Sequence, residues 1–265
     1  MHQFSYLKAK SLADAAALAK ANPEAKLMSG GMTLLPTLKQ GLAQPSHLID
    51  IGGLKELSGI EVKGDVLSIG AVTRHYDVAS SAAVAKAIPA LSYLANQIGD
   101  PQVRNRGTIG GSVANNDPAA DYPSAVLALN ANIVTDRREI AADDFFQGMF
   151  ATALEEGEIV VRIVFPLPKR AAYEKFPHPA SGYAMAGVFI AETAAGVRVA
   201  VTGAGPGVFR WSDAEKALAG GLKAGALDAL TVDATDLNED FHATREYRAN
   251  LVQVMGKRAL QKLLA

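Results

Sequence analysis

Two glycine pairs with flanking hydroxyl residues are the part of the sequence best suited to chemistry. The pairs lie in Ser29-Gly30-Gly31-Met32-Thr33 and in Thr108-Ile109-Gly110-Gly111-Ser112. Because glycine has no Cβ, backbone N–H groups at such a turn can approach an anion closely. Serine and threonine hydroxyls can complete the shell around phosphate oxygens. The matching chemistry predicts one shared ligand with a pyrophosphate, although either turn alone also fits an ordinary tight turn.

The better-known nucleotide motifs do not occur in this sequence. No Gly-x-Gly-x-x-Gly follows the first strand, and neither Gly-Lys-Ser nor Gly-Lys-Thr is found. Rossmann and P-loop interpretations are therefore disfavoured. The run Gly203-Ala204-Gly205-Pro206-Gly207 has the wrong spacing for a dinucleotide loop, and Pro206 has no amide hydrogen to donate. We interpret this run as a loop.

Carboxylates and histidines are further candidates for site residues. Residues 117–123, Asp-Pro-Ala-Ala-Asp-Tyr-Pro, directly follow the second turn, and their carboxylates could accept hydrogen bonds from ribose hydroxyls or a ring N–H. Capping of the following helix explains them equally well. The histidines are scattered singly, so each is expected to be structural or exposed, and no catalytic or metal-binding residue is assigned: His2, His47, His75, His178 and His242.

Composition excludes several classes of function. The 265 residues are 49% hydrophobic and 20% charged, which is typical of a folded protein. The net charge of -1 disfavours nucleic acid as a partner. With no cysteine, this chain has no thiolate ligands for an iron–sulfur cluster, so any such cluster belongs to another chain. Neither a signal peptide nor an integral membrane segment is evident, and a cytoplasmic location is expected.

The elements that position these residues follow from hydrophobic periodicity and from turn residues. Ser11 can cap a first helix, and a strand over residues 25–28 leads into the first glycine turn. Pro166 and Pro168 mark a candidate domain boundary. The other predicted elements are helices over 34–40, 76–86, 90–98 and 125–129, a strand over 47–51, a hairpin over 62–72, a polar loop before Gly107, and strands over 131–135 and 158–165. Beyond the boundary come strands over 184–192 and 197–202 and helices over 213–219, 224–230 and 245–264.

The two glycine turns carry a resemblance to a known family. The first turn, together with the specific motif Asp100-Pro101-Gln102-Val103-Arg104-Asn105-Arg106-Gly107-Thr108-Ile109-Gly110-Gly111, resembles the medium subunit of aerobic carbon monoxide dehydrogenases. The stretches 210–218 and 246–260 look like the C-terminal domain of that family. The resemblance therefore spans nearly the whole chain, within the wider group of molybdenum hydroxylase and xanthine dehydrogenase FAD domains.

This resemblance implies an α+β fold in two domains. The first is a PCMH/VAO-type FAD-binding domain, named after p-cresol methylhydroxylase and vanillyl-alcohol oxidase, and it consists of two α/β subdomains. It is expected over residues 1–172, with subdomains of about 1–55 and 56–172. The second domain, over residues 173–265, is expected to have a small antiparallel sheet and three helices. FAD would lie between the two domains.

The resemblance also implies which residues bind FAD. The two glycine turns would hold its pyrophosphate, and Asp121 would bind toward the ribityl and flavin end. Lys26 and Lys175 match positions where related flavoproteins place a basic residue near the cofactor, with a surface charge as the alternative for each. The full expected set is Lys26, Met28, Ser29, Gly30, Gly31, Met32, Thr33, Thr108, Ile109, Gly110, Gly111, Ser112, Asp121 and Lys175.

The implied function is electron transfer within a larger enzyme. A large subunit with the molybdenum cofactor would oxidise the substrate, and a small subunit with [2Fe-2S] clusters would pass electrons to FAD, in a heterotrimer or a dimer of heterotrimers. The first turn reads Ser-Gly-Gly-Met-Thr where carbon monoxide dehydrogenases commonly have Ala-Gly-Gly-His-Ser, so the resemblance does not identify the substrate. Similar subunits serve enzymes that act on carbon monoxide, aldehydes, purines or N-heterocycles. The alternatives are a stand-alone flavin oxidoreductase of the same fold and a scaffolding subunit that has lost FAD.

Overall fold

The first part of the chain forms a small parallel sheet whose edge presents the first glycine turn. The structure is a computed structural model that describes residues 2–265. The strands are arranged in the order β1-β3-β2. Ser11 caps the first helix by accepting a hydrogen bond from the Asp14 amide at 3.1 Å, as the sequence predicts. The elements are β1 (Ser5–Lys8), α1 (Leu12–Ala21), β2 (Lys26–Met28), α2 (Leu34–Lys39) and β3 (His47–Asp50).

The middle of the chain forms a five-stranded antiparallel sheet covered by short helices. Its strand order is β4-β5-β10-β6-β7, and the hairpin predicted over 62–72 is observed as β4 and β5. After a short 3-10 helix (Lys55–Leu57) come β4 (Ile60–Lys63), β5 (Val66–Gly70), α3 (His75–Ser80), α4 (Ala82–Ala87), α5 (Pro89–Asn96), α6 (Pro101–Arg106), α7 (Ile109–Asn115), α8 (Tyr122–Ala128), β6 (Asn132–Thr135), β7 (Glu139–Ala141), α9 (Ala142–Phe145), β8 (Phe146–Gly148), β9 (Ala151–Thr152) and β10 (Val160–Pro166).

Three sequence predictions in this region were wrong in detail. The single helix predicted over 76–86 is two helices, because Ser81 has extended backbone angles and its side chain caps α4. The loop expected before Gly107 contains α6, which Asp100 caps by accepting from the Val103 amide at 3.0 Å. The second glycine turn is the first turn of α7, with Thr108 as its N-cap.

The last part of the chain is a four-stranded antiparallel sheet with two helices. Its order is β11-β12-β13-β14, and β11 was not predicted from the sequence. The helix predicted over 224–230 is a series of turns that includes Gly225 at φ +79°, so residues 173–265 have two helices where three were expected. The elements are β11 (Arg170–Pro177), β12 (Ala184–Thr193), β13 (Gly196–Thr202), β14 (Phe209–Arg210), α10 (Ser212–Leu218) and α11 (Arg245–Leu264).

The hydrophobic core connects the middle of the chain with the C-terminal sheet. Tyr173 and Phe189 of that sheet belong to the same buried cluster as Ile69, Leu94 and Tyr122. The other face of the sheet packs against α10 and α11 in a second cluster, and a third cluster lies beneath the N-terminal sheet. Within residues 2–265, no helix has both the length and the apolar character needed to cross a membrane.

Candidate functional site

A cavity of about 770 Å³ lies where the three parts of the chain meet. This volume is within the range of ligand and cofactor sites. Both glycine turns line the cavity, as do the ends of several neighbouring loops. Every residue of the predicted set lines it except Ile109 and Lys175: Lys26, Met28, Ser29, Gly30, Gly31, Met32, Thr33, Thr108, Gly110, Gly111, Ser112 and Asp121.

The two glycine turns are in direct contact. The Ser29 and Thr108 hydroxyl oxygens are 2.8 Å apart, which is a hydrogen-bond distance. A Cβ on Gly30 would lie 2.0 Å from the Arg106 carbonyl oxygen, so only glycine permits this approach of the two segments. Gly31 has φ +73°, a conformation that favours glycine. The sequence prediction that both turns serve one site therefore has a geometric basis in this contact.

The two turns offer different donors. Within residues 2–265, the amides of Gly30, Gly31, Met32 and Thr33 donate to no backbone carbonyl, so the first turn provides a run of available N–H groups. By contrast, the amides of Ile109 and Gly110 donate to the carbonyls of Thr73 and Ala71, and the Gly111 amide donates to Thr108 Oγ1 at 3.2 Å. The second turn therefore contributes hydroxyl groups and open space rather than amides.

The glycines of the second turn also differ from each other. A Cβ on Gly110 would lie 2.5 Å from the Ala71 Cβ and 2.8 Å from its Cα, so this glycine is required for packing against the chain beyond β5. A Cβ on Gly111 would meet only the Ser29 and Thr108 hydroxyls, each at 2.9 Å. Gly111 therefore keeps space open beside the two hydroxyl groups in the cavity wall.

Asp121 and Lys175 form a buried ion pair at the cavity wall. The Lys175 Nζ is 2.9 Å from Asp121 Oδ1 and also donates to the carbonyls of Gln97 and Gly182. Tyr173 donates to the same Asp121 oxygen at 2.6 Å. Burial raises the pKa of Asp121, while the Lys175 charge and the Tyr173 hydrogen bond oppose that rise. Lys175 itself does not line the cavity, so it positions the Asp121 carboxylate from the side away from the cavity.

Ile109 lies in the hydrophobic core rather than at the cavity surface. Its side chain is fully buried, and its amide donates to the Thr73 carbonyl at 3.0 Å. The sequence analysis includes Ile109 in the FAD-binding set, but this residue does not line the cavity and its amide hydrogen is already donated, so its inclusion stays a prediction. Ile109 instead anchors the start of α7 against the loop that follows β5.

His75 is a cavity residue that the sequence prediction missed. Its ring lies beside Gly107, where a Cβ would be 2.6 Å from the imidazole Nε2. Burial, with the nearby Arg104 charge, lowers the pKa of His75 to about 4, so the ring is neutral near pH 7. Among residues 2–265 its Nδ1 has no hydrogen-bond partner, and neither has the hydroxyl of neighbouring Tyr122. A lone histidine after a strand gives no sequence signal for this placement.

Many other lining residues were also outside the predicted set, among them Asp117, Tyr183 and Phe150. Asp117 is one of the carboxylates that follow the second turn, and burial raises its pKa while a hydrogen bond from the Ala119 amide opposes the rise. Tyr183 lies in the turn between β11 and β12 and reaches the cavity from the C-terminal sheet. Phe150 lies at the tip of the β8–β9 hairpin. The last two come from segments distant in sequence, so only the fold reveals them.

Comparisons with known families cover almost the whole chain. Residues 2–168 match the profile of the FAD binding domain in molybdopterin dehydrogenase. Residues 171–263 match the profile of the CO dehydrogenase flavoprotein C-terminal domain. The two matches follow one another along the chain in the order that the resemblance implies.

Individual relatives and solved structures agree with these matches. The carbon monoxide dehydrogenase medium chain of Hydrogenophaga pseudoflava is 36% identical, with 97% of this chain and 96% of the relative covered. The nicotine 6-hydroxylase medium subunit of Paenarthrobacter nicotinovorans is 35% identical, with 96% and 95% covered. A solved structure of the H. pseudoflava carbon monoxide dehydrogenase superposes with a TM-score of 0.90 over 99% of this chain and 97% of that chain, at 36% identity. The chain therefore belongs to the family of FAD-binding medium subunits of molybdenum hydroxylases.

Proposed function

We propose that this chain holds FAD in the cavity between the glycine turns and the C-terminal sheet, and relays electrons from a partner's [2Fe-2S] cluster to a terminal acceptor. The observation that carries this proposal is the contact between the two turns, which places available amides and two hydroxyls in one wall. When bound, FAD supplies the electron acceptance and release. The protein's residues bind it and orient it.

The residues present fit a diphosphate. The N–H groups of residues 30–33 provide consecutive donors, and Ser29 and Thr108 add hydroxyls that can donate to phosphate oxygens. Gly111 has no side chain to fill the adjacent space. Lys26, which precedes the first turn and lines the same cavity, adds a positive charge. This arrangement is the physical basis for assigning both turns to the pyrophosphate.

Asp121 provides a fixed acceptor farther along the cavity wall. Its two oxygens are oriented by Tyr173 and Lys175, so the carboxylate is held in one position. An acceptor of this kind suits the ribityl hydroxyls or a flavin ring N–H. Since the ammonium group balances the carboxylate charge, this wall adds little net charge next to the cofactor.

The proposed partners are a large molybdenum-cofactor subunit and a small [2Fe-2S] subunit, in a heterotrimer or a dimer of heterotrimers. This chain contains no cysteine, so it has no thiolate to ligate such clusters. Its H. pseudoflava relative is a medium chain, and the solved enzyme from that organism is a form that lacks the Mo-pyranopterin moiety of its molybdenum cofactor. We therefore place the substrate chemistry on another subunit.

A reconstitution experiment tests both parts of the proposal. The purified chain is loaded with FAD, and its absorption at about 450 nm, where oxidised flavins absorb, is followed after mixing with the pre-reduced small subunit. We expect loss of this band and its return when an electron acceptor is added. Stable FAD binding without bleaching would contradict the electron path alone. A chain that takes up no FAD would contradict the site assignment as well.

A further inference from the structure

Phe150 has an unusual backbone conformation at the rim of the cavity. Its φ of 55° lies in the left-handed region, which bulky side chains rarely adopt. Such a conformation persists only where the surroundings enforce it, and it is often found at functional positions. Phe150 is therefore a position where the fold accepts local strain in order to place one side chain.

Asn116 supplies the contacts that enforce this conformation. Its carbonyl accepts a hydrogen bond from the Phe150 amide at 3.2 Å. Its side-chain Nδ2 donates to the Gly148 carbonyl at 2.7 Å and to the Ala151 carbonyl at 2.8 Å. Asn116 is fully buried and thus binds both sides of the hairpin tip, residues 148–150. The tip is held by one side chain that reaches it from another element.

One short helix, α7, connects Asn116 to the second glycine turn. The helix α7 begins after Thr108, within the second turn, and ends at Asn115; its C-cap, Asn116, has φ 45° and ψ 50°. Asparagine tolerates this conformation at a helix C-terminus, so Asn116 fits its position with little strain. The placement of the hairpin tip is therefore fixed relative to the wall that is proposed to hold the pyrophosphate.

The Phe150 side chain is 57% exposed, yet it lines the cavity. An aromatic ring left open at a cavity wall can pack face to face or edge to face against a planar ring of a ligand. We propose that Phe150 stacks on one of the planar rings of the bound dinucleotide, and that Asn116 is the positioning residue that holds it there. This inference rests on the proposed function, since it requires FAD in the cavity.

Variants of the two residues test this role in the full chain. Phe150→Leu removes the ring, whereas Phe150→Trp keeps an aromatic surface. Asn116→Gly allows the left-handed conformation but removes both side-chain hydrogen bonds. Met149→Ala is the matched control, because Met149 is its exposed neighbour at the tip and does not line the cavity.

Affinity and flavin fluorescence are the readouts, with FAD and ADP titrated separately into cofactor-free protein. We expect the Kd for FAD to rise about 3- to 10-fold in Phe150→Leu, as the loss of one aromatic pair implies, and to rise similarly in Asn116→Gly. Phe150→Trp and Met149→Ala should keep the Kd of the unchanged chain. If the Kd for ADP rises equally in Phe150→Leu, adenine is the stacked ring. If only the Kd for FAD rises and the fluorescence of the bound flavin increases, the isoalloxazine is the stacked ring.

The outcomes that overturn the inference are separate from those that overturn the proposed function. If Phe150→Leu binds FAD with the affinity and fluorescence of Met149→Ala, the stacking role is wrong while FAD binding stands. If the unchanged chain binds no FAD, both the stacking role and the proposed function are wrong. Should Asn116→Gly fail to fold by circular dichroism, the exposed Phe150 variants still decide the question.

Discussion

Individual glycines in the two turns have different physical tasks. The sequence predicted both glycine pairs as one site, because their residue types match. It could not predict that Gly30 and Gly110 are required by close contacts with other segments, whereas Gly111 borders open space, since those contacts come from residues distant in sequence. The residue types of a turn indicate that it suits a phosphate, but only the packing shows which glycine borders the phosphate site.

This difference predicts opposite effects for two valine substitutions. Gly111→Val should abolish FAD retention and lower the free energy of unfolding by about 1 kcal/mol, since its Cβ displaces the Thr108 oxygen that caps α7. Gly110→Val should destabilise the fold by about 3 kcal/mol, because its Cβ meets the backbone of Ala71. Flavin content and urea denaturation of the same preparations measure the two effects. Stoichiometric FAD in Gly111→Val would refute the site assignment.

His75 predicts a dependence of stability on pH. Its pKa is lowered to about 4 in the folded chain from an ordinary value of 6.5, so the unfolded chain binds the proton more readily. The free energy of unfolding therefore has its full value above pH 6.5. It decreases as the pH falls toward 4, by roughly 3 kcal/mol in total. Urea denaturation between pH 7 and pH 4 checks this, with His75→Gln as the comparison. A pH profile identical in the two proteins would show that His75 is not the cause.

At the scale of elements, the sequence predicted the hairpin, the strand before the first turn and the long last helix. It did not predict β11, in which Glu174 and Lys175 interrupt the apolar pattern of a buried strand. Lys175 is buried there because Asp121, at the start of α8, provides its partner. A tertiary ion pair thus accounts for a buried lysine in a strand that local patterns do not indicate.

This ion pair links β11 to α8 and gives a prediction about both. Lys175→Met should lower the free energy of unfolding by about 3–5 kcal/mol, since it leaves the buried Asp121 carboxylate without its charged partner. Adding Asp121→Asn removes the unpaired charge, so the double variant should recover part of the loss. Chemical denaturation of the single and double variants measures this. An undiminished loss in the double variant would mean that the pair has no such coupling.

For the molecule as a whole, one cavity is built from three regions that pack on each other. Family resemblance gave the fold class and the cofactor, but the participation of Phe150 and Tyr183 follows from how distant segments pack. Since the cavity joins these regions, any ligand that binds only the folded chain stabilises all of them together. The stability of the molecule is therefore expected to depend on its cofactor.

FAD at 100 times its Kd should raise the free energy of unfolding by about 2.7 kcal/mol. Denaturation of the cofactor-free chain with and without added FAD measures the increase. Gly111→Val, in which the cavity wall is blocked, is the control and should show no increase. A similar increase in both proteins would indicate that FAD binds elsewhere.

The placement of Tyr183 also has a consequence for how the protein is made. The ribosome delivers the first glycine turn before the second, and the turn between β11 and β12 after both. A nascent chain that ends within β11 has both glycine turns but lacks the Gly182 and Tyr183 part of the cavity wall. We therefore expect tight binding of FAD only after the turn between β11 and β12 has left the ribosome, because the cavity wall is incomplete before that point.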